Sequence, residues 1–573
     1  MNRLAKYGYP LSCAALGIAL LAAYSNHFHN AFHFDDSHTI ESNLFVRDLR
    51  NVPRFFADAR TFSSLPANQS YRPLLTTTLA VDYAFSGRSP VAFHVDSFFW
   101  LCVQCLLAVL LFTRLTGSKW AGLFGAALFG LHSAVAETVN YVIARGDILS
   151  TLGATGSILL YAQGGRARRY FVYLVPMALG VLSKEQGAMA APLLFLYVGL
   201  IEQRRTLLGL LHPRGFFAAL VPALPAFLVC GGLAAFAVSQ NTGYSAGAAS
   251  RLWYLATQPY VMGHYFLSFL VPVGLTADAD WVAVASVADP RLAVGLVFLA
   301  AALTIAYLAS RDDGARPIAF GILWFFVALL PTSSVFPLAE VMNDHRMYFP
   351  FVGLALAAAT AGKLLAERMP KVRAGLGAAA VAALVVHAIG VHGRNEVWRT
   401  EETLWKAVTE ASPRNGRGWM NYGLALMGRG EWAGAERCFT EALRLTPNYG
   451  YAHTNMAILL GATGRPAEAE KHFKLAVALM PRVPSLRYFF ARWLEQVGRR
   501  DEAETQLRTG LALSPADPAS RGLLMKLLAQ REAWSELAKA ARETLGFNSS
   551  DANAKTYLQL AEKNLSTNGG GVK

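Results

Sequence analysis

Charged side chains are scarce in these 573 residues: Asp, Glu, Lys and Arg make up 16%, well below the roughly 25% of a soluble globular chain. That shortage excludes an ordinary soluble enzyme, and 54% hydrophobic residues exclude a disordered chain. Cysteine is rarer still. Of the five, Cys13, Cys102, Cys105 and Cys230 lie inside apolar runs, where they pack, and Cys438 has no evident partner. No disulfide framework is expected. Acidic residues are outnumbered 38 to 52 by Lys and Arg, for a net charge of +14. In a chain with many apolar runs this excess belongs to cytoplasmic loops, so no nucleic-acid partner is expected.

What is abundant is uncharged apolar sequence. Runs long enough, or nearly so, to cross about 30 Å of hydrocarbon recur near 9–24, 94–113, 119–133, 148–163, 170–182 and 187–201. Five more follow near 216–238, 291–310, 316–332, 349–366 and 374–392. The first follows Arg3 and Lys6 like a signal peptide, but no small-residue cleavage site is evident after it, so it is read as an uncleaved span. Clusters such as Arg166/Arg168/Arg169, Arg204/Arg205/Arg214 and Lys363/Arg368/Lys371/Arg373 fall in alternate loops. The positive-inside rule places those loops, and the N-terminus, in the cytoplasm. The run 252–273 would reverse that pattern if it crossed, and its Trp253, Tyr254, Tyr260, His264 and Tyr265 suit an outer interfacial or re-entrant position. The expectation is an all-α membrane chain with about eleven spans and an extracytoplasmic C-terminal domain.

The tail repeats itself every 34 residues. Trp419, Gly423, Ala435, Phe439, Ala442 and Pro447 in 416–449 correspond to His453, Ala457, Ala469, Phe473, Ala476 and Pro481 in 450–483. That spacing predicts a tetratricopeptide-repeat solenoid, whose alanines let paired helices approach and whose concave face suits extended peptide. The third copy, 484–517, keeps Ala503 and Pro515, and the fourth, 518–551, is degenerate and reads as a cap. The expected domains are therefore a membrane unit 1–393 with a long first loop 25–93, a connecting helix 394–415, repeats 416–551, and a C-terminal helix and disordered tail 552–573.

Charged and polar residues collect at the expected outer ends of the spans. The first loop opens with His33-Phe34-Asp35-Asp36-Ser37-His38, and adjacent carboxylates at a membrane surface are costly unless used or paired. One serves as a general base while the other positions it or binds a cation; the competing reading is a helix cap. Other mouths carry His132 and Glu137, Arg145 and Asp147, Lys184 and Glu185, and Asp344-His345-Arg346-Met347-Tyr348. Arg145, Lys184 and Arg346 suit a phosphate; the alternatives are an ion pair for Lys184 with Glu185 and a snorkelling anchor for Arg346. Cations and carboxylates together at a membrane surface fit a sugar carried on a lipid phosphate, the leaving group whose growing charge the cations stabilise.

Several phrases match a known pattern in order: Phe34-Asp35-Asp36, Tyr71-Arg72-Pro73-Leu74, His94, Leu131-His132 with Glu137-Thr138-Val139, Arg145-Gly146-Asp147, Lys184-Glu185-Gln186-Gly187, Arg346-Met347-Tyr348-Phe349-Pro350, and Arg394-Asn395 with Trp398-Arg399. Across nearly its whole length the chain resembles the transmembrane and tetratricopeptide-repeat O-mannosyltransferases. The resemblance implies a C-type glycosyltransferase fold, a polyprenyl-phosphate sugar donor, and Ser or Thr of a protein as acceptor. It implies a catalytic role for the acidic pair, Asp36 as base with Asp35 assisting. Arg145, Lys184, His345 and Arg346 then hold the phosphate, and His132, Glu137, Asp147, Glu185, Tyr71, Arg72, His94 and Tyr348 shape the pocket. A divalent cation is left open. The alternatives are a lipid or glycan acceptor, or a non-catalytic membrane scaffold whose repeats recruit assembly partners. Departures are the short repeat array and Asp344-His345, which stands where the family often has Ala-Glu.

Overall fold

The computed structural model describes residues 2–241, 250–334 and 337–569. Among them there is no strand, and the chain divides into two compact units, Met1–Ala411 and Ser412–Lys573. In the first unit the α-helices of six residues or more are α1 Asn2–Ala23, α2 Pro73–Ser86, α3 Val91–Thr116, α4 Lys119–Gly130 and α5 Val135–Asn140. They continue as α6 Arg145–Gln163, α7 Leu174–Ser183, α8 Ala190–Leu196, α9 Pro213–Gln240 and α10 Arg251–Leu270. The last are α11 Pro290–Ser310, α12 Arg316–Leu329, α13 Tyr348–Arg368, α14 Arg373–Val397 and α15 Glu401–Ala411.

In hydrocarbon every backbone donor and acceptor must be met within the chain, and a helix does this without a partner. All eleven expected apolar runs lie wholly or largely in helices. Six stretches are long and apolar enough to cross a bilayer: Gly8–His29, Val91–Thr116, Pro213–Gln240, Pro290–Ser310, Asp344–Arg368 and Pro370–Val397. The chain is thus a multi-pass membrane protein. α7 and α12 are apolar but shorter, and a full complement of eleven crossings would rest on such short helices. α7 begins only at Leu174 because Phe171, at φ 55°, turns the chain just before it.

The bundle is tight where glycines face each other. A Cβ on Gly321 of α12 would stand 2.3 Å from the Gly353 carbonyl of α13, and the converse distance is also 2.3 Å. α6 and α7 meet in the same way at Gly153 and Gly180. Such backbone contact holds α6 to α7 and α12 to α13; Arg145 opens α6, Lys184 follows α7, and the loop between α12 and α13 carries Glu340 and Arg346.

The first loop is ordered. Ile40, Val46, Phe55, Phe62, Leu75 and Leu79 form a small core with Phe93, Val142 and Ile143. α10 is a continuous helix whose two ends both touch the loops at one end of the bundle. Tyr254 Oη donates to the Thr332 carbonyl (2.6 Å), Tyr265 Oη to Asn343 O (2.9 Å), and His132 Nε2 bonds the Phe269 carbonyl (3.0 Å). The segment expected to connect the two units belongs to the first as far as Ala411, because His33 bonds Glu401 Oε1 (2.7 Å) and the Trp398 carbonyl (2.7 Å).

The second unit follows the 34-residue period as expected. Its helix pairs are Gly416–Gly428 with Trp432–Leu445, Gly450–Ala462 with Pro466–Leu479, Pro484–Gln496 with Arg500–Leu513, and Pro518–Gln530 with Trp534–Phe547. Ala435, Phe439, Ala442, Ala469, Phe473, Ala476 and Ala503 are buried. The turn in each of the first three pairs has a glycine in the left-handed region, Gly430, Gly464 and Gly498, with φ 78°, 79° and 83°. In the fourth, Glu532 holds that conformation at φ 59°, which marks the degenerate copy. A helix Ala552–Gly569 follows; the rest of the expected tail lies outside the described residues.

Candidate active site

Every residue expected in the site stands at one end of the membrane unit, opposite the basic loops, where Arg114 and Lys363 bond carbonyls near the far ends of α6 and α3. Within that end the residues separate into partly exposed groups and groups consumed in bracing.

Asp36 is fully buried. Its Oδ2 accepts from the His33 amide (3.1 Å) and its Oδ1 from the Ile143 amide (2.9 Å), tying the first loop to the segment before α6. Burial raises its carboxyl to about 7, against the pull of those two amides. Asp35 differs in every respect. Its side chain is half exposed, with Oδ1 3.2 Å from His38 Nε2. His38 Nδ1 in turn bonds Ser63 Oγ at 2.9 Å. Burial works against ionisation of Asp35, but the His38 hydrogen bond and the charges of His38 and Arg72 outweigh it and hold the carboxyl low. Asp35 is therefore a reachable, ionised carboxylate.

The residue before it is strained. Phe34 has φ 50°, a conformation bulky side chains avoid. Its ring is held by Trp405, Tyr141 and Trp398 at centroid distances of 5.1, 5.5 and 6.0 Å. The Asp35 amide also donates to the Tyr141 hydroxyl (3.3 Å). This packing supports a turn that presents Asp35 outward and Asp36 inward.

The charge of Arg72 acts on Asp35, and at the same end Lys184 and Arg346 act on His345, which packs on Tyr141. Arg72 pairs with Glu185 (3.2 Å) and lies over the Phe62 ring. Burial opposes ionisation of Glu185, but Arg72 and Lys184 together keep it low. Lys184 Nζ reaches both oxygens of Asp147, at 2.8 and 2.7 Å, and Gln186 fixes the same carboxylate (2.6 Å). Two of three ammonium protons are thus used, and the side chain remains partly exposed. Arg346 donates to the Glu340 carbonyl (3.1 Å) and lies 3.7 Å from its carboxylate. His345 packs on Tyr141, and its carbonyl accepts from Thr138.

Arg145, expected to bind phosphate, is placed differently. It is fully buried, and its donors go to Asp82 (2.6 Å), Asp96 (2.9 Å), Thr78 (3.1 Å), Ser97 (3.3 Å) and the Phe93 carbonyl (2.6 Å). Each of its three guanidinium nitrogens has a partner within the protein, so Arg145 braces α2 and α3 against α6. His132 is also internal, sandwiched by Phe269, Phe351 and His387. Glu137 pairs with Arg394 (3.0 Å), and burial raises its carboxyl to about 8 despite that charge. His94 bonds the Asn30 carbonyl and packs on His27, beside the buried amides Asn140 and Asn395. Tyr71 donates to the Phe56 carbonyl, and Tyr348 is buried against Phe129.

Asp82, Asp96, Tyr141, Glu340 and His38 were not singled out as site residues from sequence. His38 had a usable signal, since it stands three residues after Asp35 on one turn. Among the described residues no cluster of three His, Cys, Asp or Glu side chains has the arrangement of a metal site.

The chain is similar in sequence to known proteins. Residues 416–449 and 460–527 match tetratricopeptide-repeat family models. A Caenorhabditis elegans protein named protein O-mannosyl-transferase is 24% identical over 72% of this chain and 60% of its own length. A human protein of the same name is 26% identical over 74% of this chain and 65% of its own. The chain is a homologue of these O-mannosyl-transferases. It spans under two thirds of their length. The Archaeoglobus fulgidus oligosaccharyltransferase is 14% identical over 73% of this chain and 58% of its own, with a TM-score of 0.39, which is too low to define a shared fold. The relatives' alignments reach beyond the repeats into the membrane unit that holds Asp35, Lys184 and Arg346.

Proposed function

We propose that the protein transfers a sugar from a polyprenyl-phosphate carrier to a Ser or Thr hydroxyl of a protein, on the extracytoplasmic face of a bacterial inner membrane. The observation that carries this reading is Asp35: an accessible, ionised carboxylate under the charge of Arg72, at the end of the membrane unit that also carries Lys184, His345 and Arg346. The names of the homologues support the reaction class.

In this reading Asp35, rather than Asp36, removes the acceptor proton. A base must reach the hydroxyl, and Asp36 is enclosed and committed to two backbone amides. The acceptor oxygen attacks the anomeric carbon, the bond to the phosphate oxygen breaks, and the configuration inverts. The lipid phosphate leaves with added negative charge, which Lys184, through its remaining proton, and Arg346 stabilise. Asp147 and Gln186 orient Lys184. The repeats hold the acceptor protein.

Membranes carrying Asp35→Asn are expected to lose protein glycosylation by about 100-fold or more, the scale of general-base loss, read as intact mass of acceptor proteins. Asp36→Asn keeps more activity in correctly folded protein. Full activity in Asp35→Asn rules out the assignment.

A further inference from the structure

We propose a second lipid site, unrelated to the donor: a groove between α1, α4, α13 and α14 that holds an anionic phospholipid with its headgroup at the basic end of the bundle.

Two adjoining cavities form the groove. One, of about 520 Å³, is apolar and lies between Ala15, Leu16 and Ala19 of α1, Leu123 of α4, and Leu384 and Ala388 of α14. The other, of about 560 Å³, lies at the basic end and is lined by Ser118, Lys363, Glu367 and Arg373. Trp120, Phe124, Gly377 and Ala380 line both, so the hollow is continuous. A Cβ on Gly377 would meet nothing within 4 Å.

The chemistry of the two ends selects the occupant. Over 363–373 the chain carries Lys363, Arg368, Lys371 and Arg373 against one carboxylate, Glu367. Lys363 Nζ bonds the Thr116 carbonyl (2.8 Å) and lies 3.7 Å from Glu367. Trp120 packs edge-on against Tyr9 (5.5 Å), and Lys119 lies over the Tyr9 ring, as aromatic side chains do at the headgroup level. Basic pockets between membrane helices bind anionic headgroups. From Gly377 to Ala388 the groove follows eleven helical steps, about 16 Å, close to half of the roughly 30 Å hydrocarbon core. That is the depth of one leaflet. It suits a phospholipid acyl chain and is too short for an extended polyprenyl chain, and its charged mouth is at the end opposite Asp35.

The test uses full-length protein in mild detergent, depleted of lipid and offered phosphatidylglycerol, phosphatidylcholine of the same acyl chains, or undecaprenyl phosphate, with adducts read by native mass spectrometry. One phosphatidylglycerol per chain is expected to be retained at least tenfold over phosphatidylcholine. Arg373→Glu should bring that ratio toward one. Gly377→Leu fills the groove and should lose the adduct, while Gly231→Leu, equally unobstructed but on α9, should keep it. Equal retention of the two phospholipids, an undecaprenyl phosphate adduct that Gly377→Leu abolishes, retention of phosphatidylglycerol by Gly377→Leu, or its loss in Gly231→Leu would each overturn the site.

Discussion

Asp35 and Asp36 are neighbours with the same side chain, yet one is half exposed and ionised and the other enclosed. The left-handed Phe34 before them turns the backbone so that they part. Because the folded carboxyl of Asp36 is raised to about 7 from its usual 3.8, the folded state binds its proton more tightly than the unfolded chain does. Its contribution to stability is full below about pH 4 and is lost as pH rises through 7. Proteolysis of the first loop should therefore accelerate between about pH 4 and 7 and level off above that, and Asp36→Asn should flatten that dependence. Arg145 makes a different prediction. Replacing it with Ala leaves Asp82 without its closest cation, and loss of one partner from a buried pair costs about 3–5 kcal/mol, visible as a lowered thermal midpoint in detergent. A phosphate-binding role alone would leave that midpoint unchanged. The sequence announced the charge of these residues but not their surroundings. Arg145 reads as an anion ligand until Asp82 and Asp96, 63 and 49 positions earlier in the chain, are seen to occupy it.

At the scale of elements, the repeats were legible because each helix pair is fixed by local spacing and packs chiefly on its neighbours. The turn glycines show the physical reason for part of that pattern. Gly464 sits at φ 79° with open space where a Cβ would stand, so Gly464→Ala adds backbone strain alone. It is expected to destabilise the array by about 1 kcal/mol. Glu532 occupies the same conformation in the fourth pair, and Glu532→Gly should stabilise it by up to about 1 kcal/mol. Opposite shifts of the thermal midpoint check both. The apolar runs were legible as helices, but not their lengths. α7 and α12 stop short because Phe171 turns the chain before one and the loop bearing Glu340 and Arg346 follows the other, while Gly153, Gly180, Gly321 and Gly353 determine how closely they pack.

The whole molecule turns on which residues share an end. Asn395 at the close of α14 bonds the Ala23 carbonyl and Asn26 at the close of α1, and His33 bonds Glu401 beyond it. The chain therefore leaves the membrane unit at the end that presents Asp35, while Arg166, Arg168, Arg169 and Arg204 lie at the other. If the positive-inside rule holds for that other end, the proposed function requires the repeats to share the extracytoplasmic compartment with Asp35. In sealed right-side-out vesicles an impermeant maleimide should label Ser42→Cys in the first loop and Lys539→Cys in the repeats, and should reach Arg169→Cys only after permeabilisation. Labelling of Lys539→Cys together with Arg169→Cys, and not with Ser42→Cys, would put the repeats on the opposite face from Asp35. They would then have no route to the hydroxyl that Asp35 deprotonates, and the presentation role proposed for them would fail even if transfer itself survived.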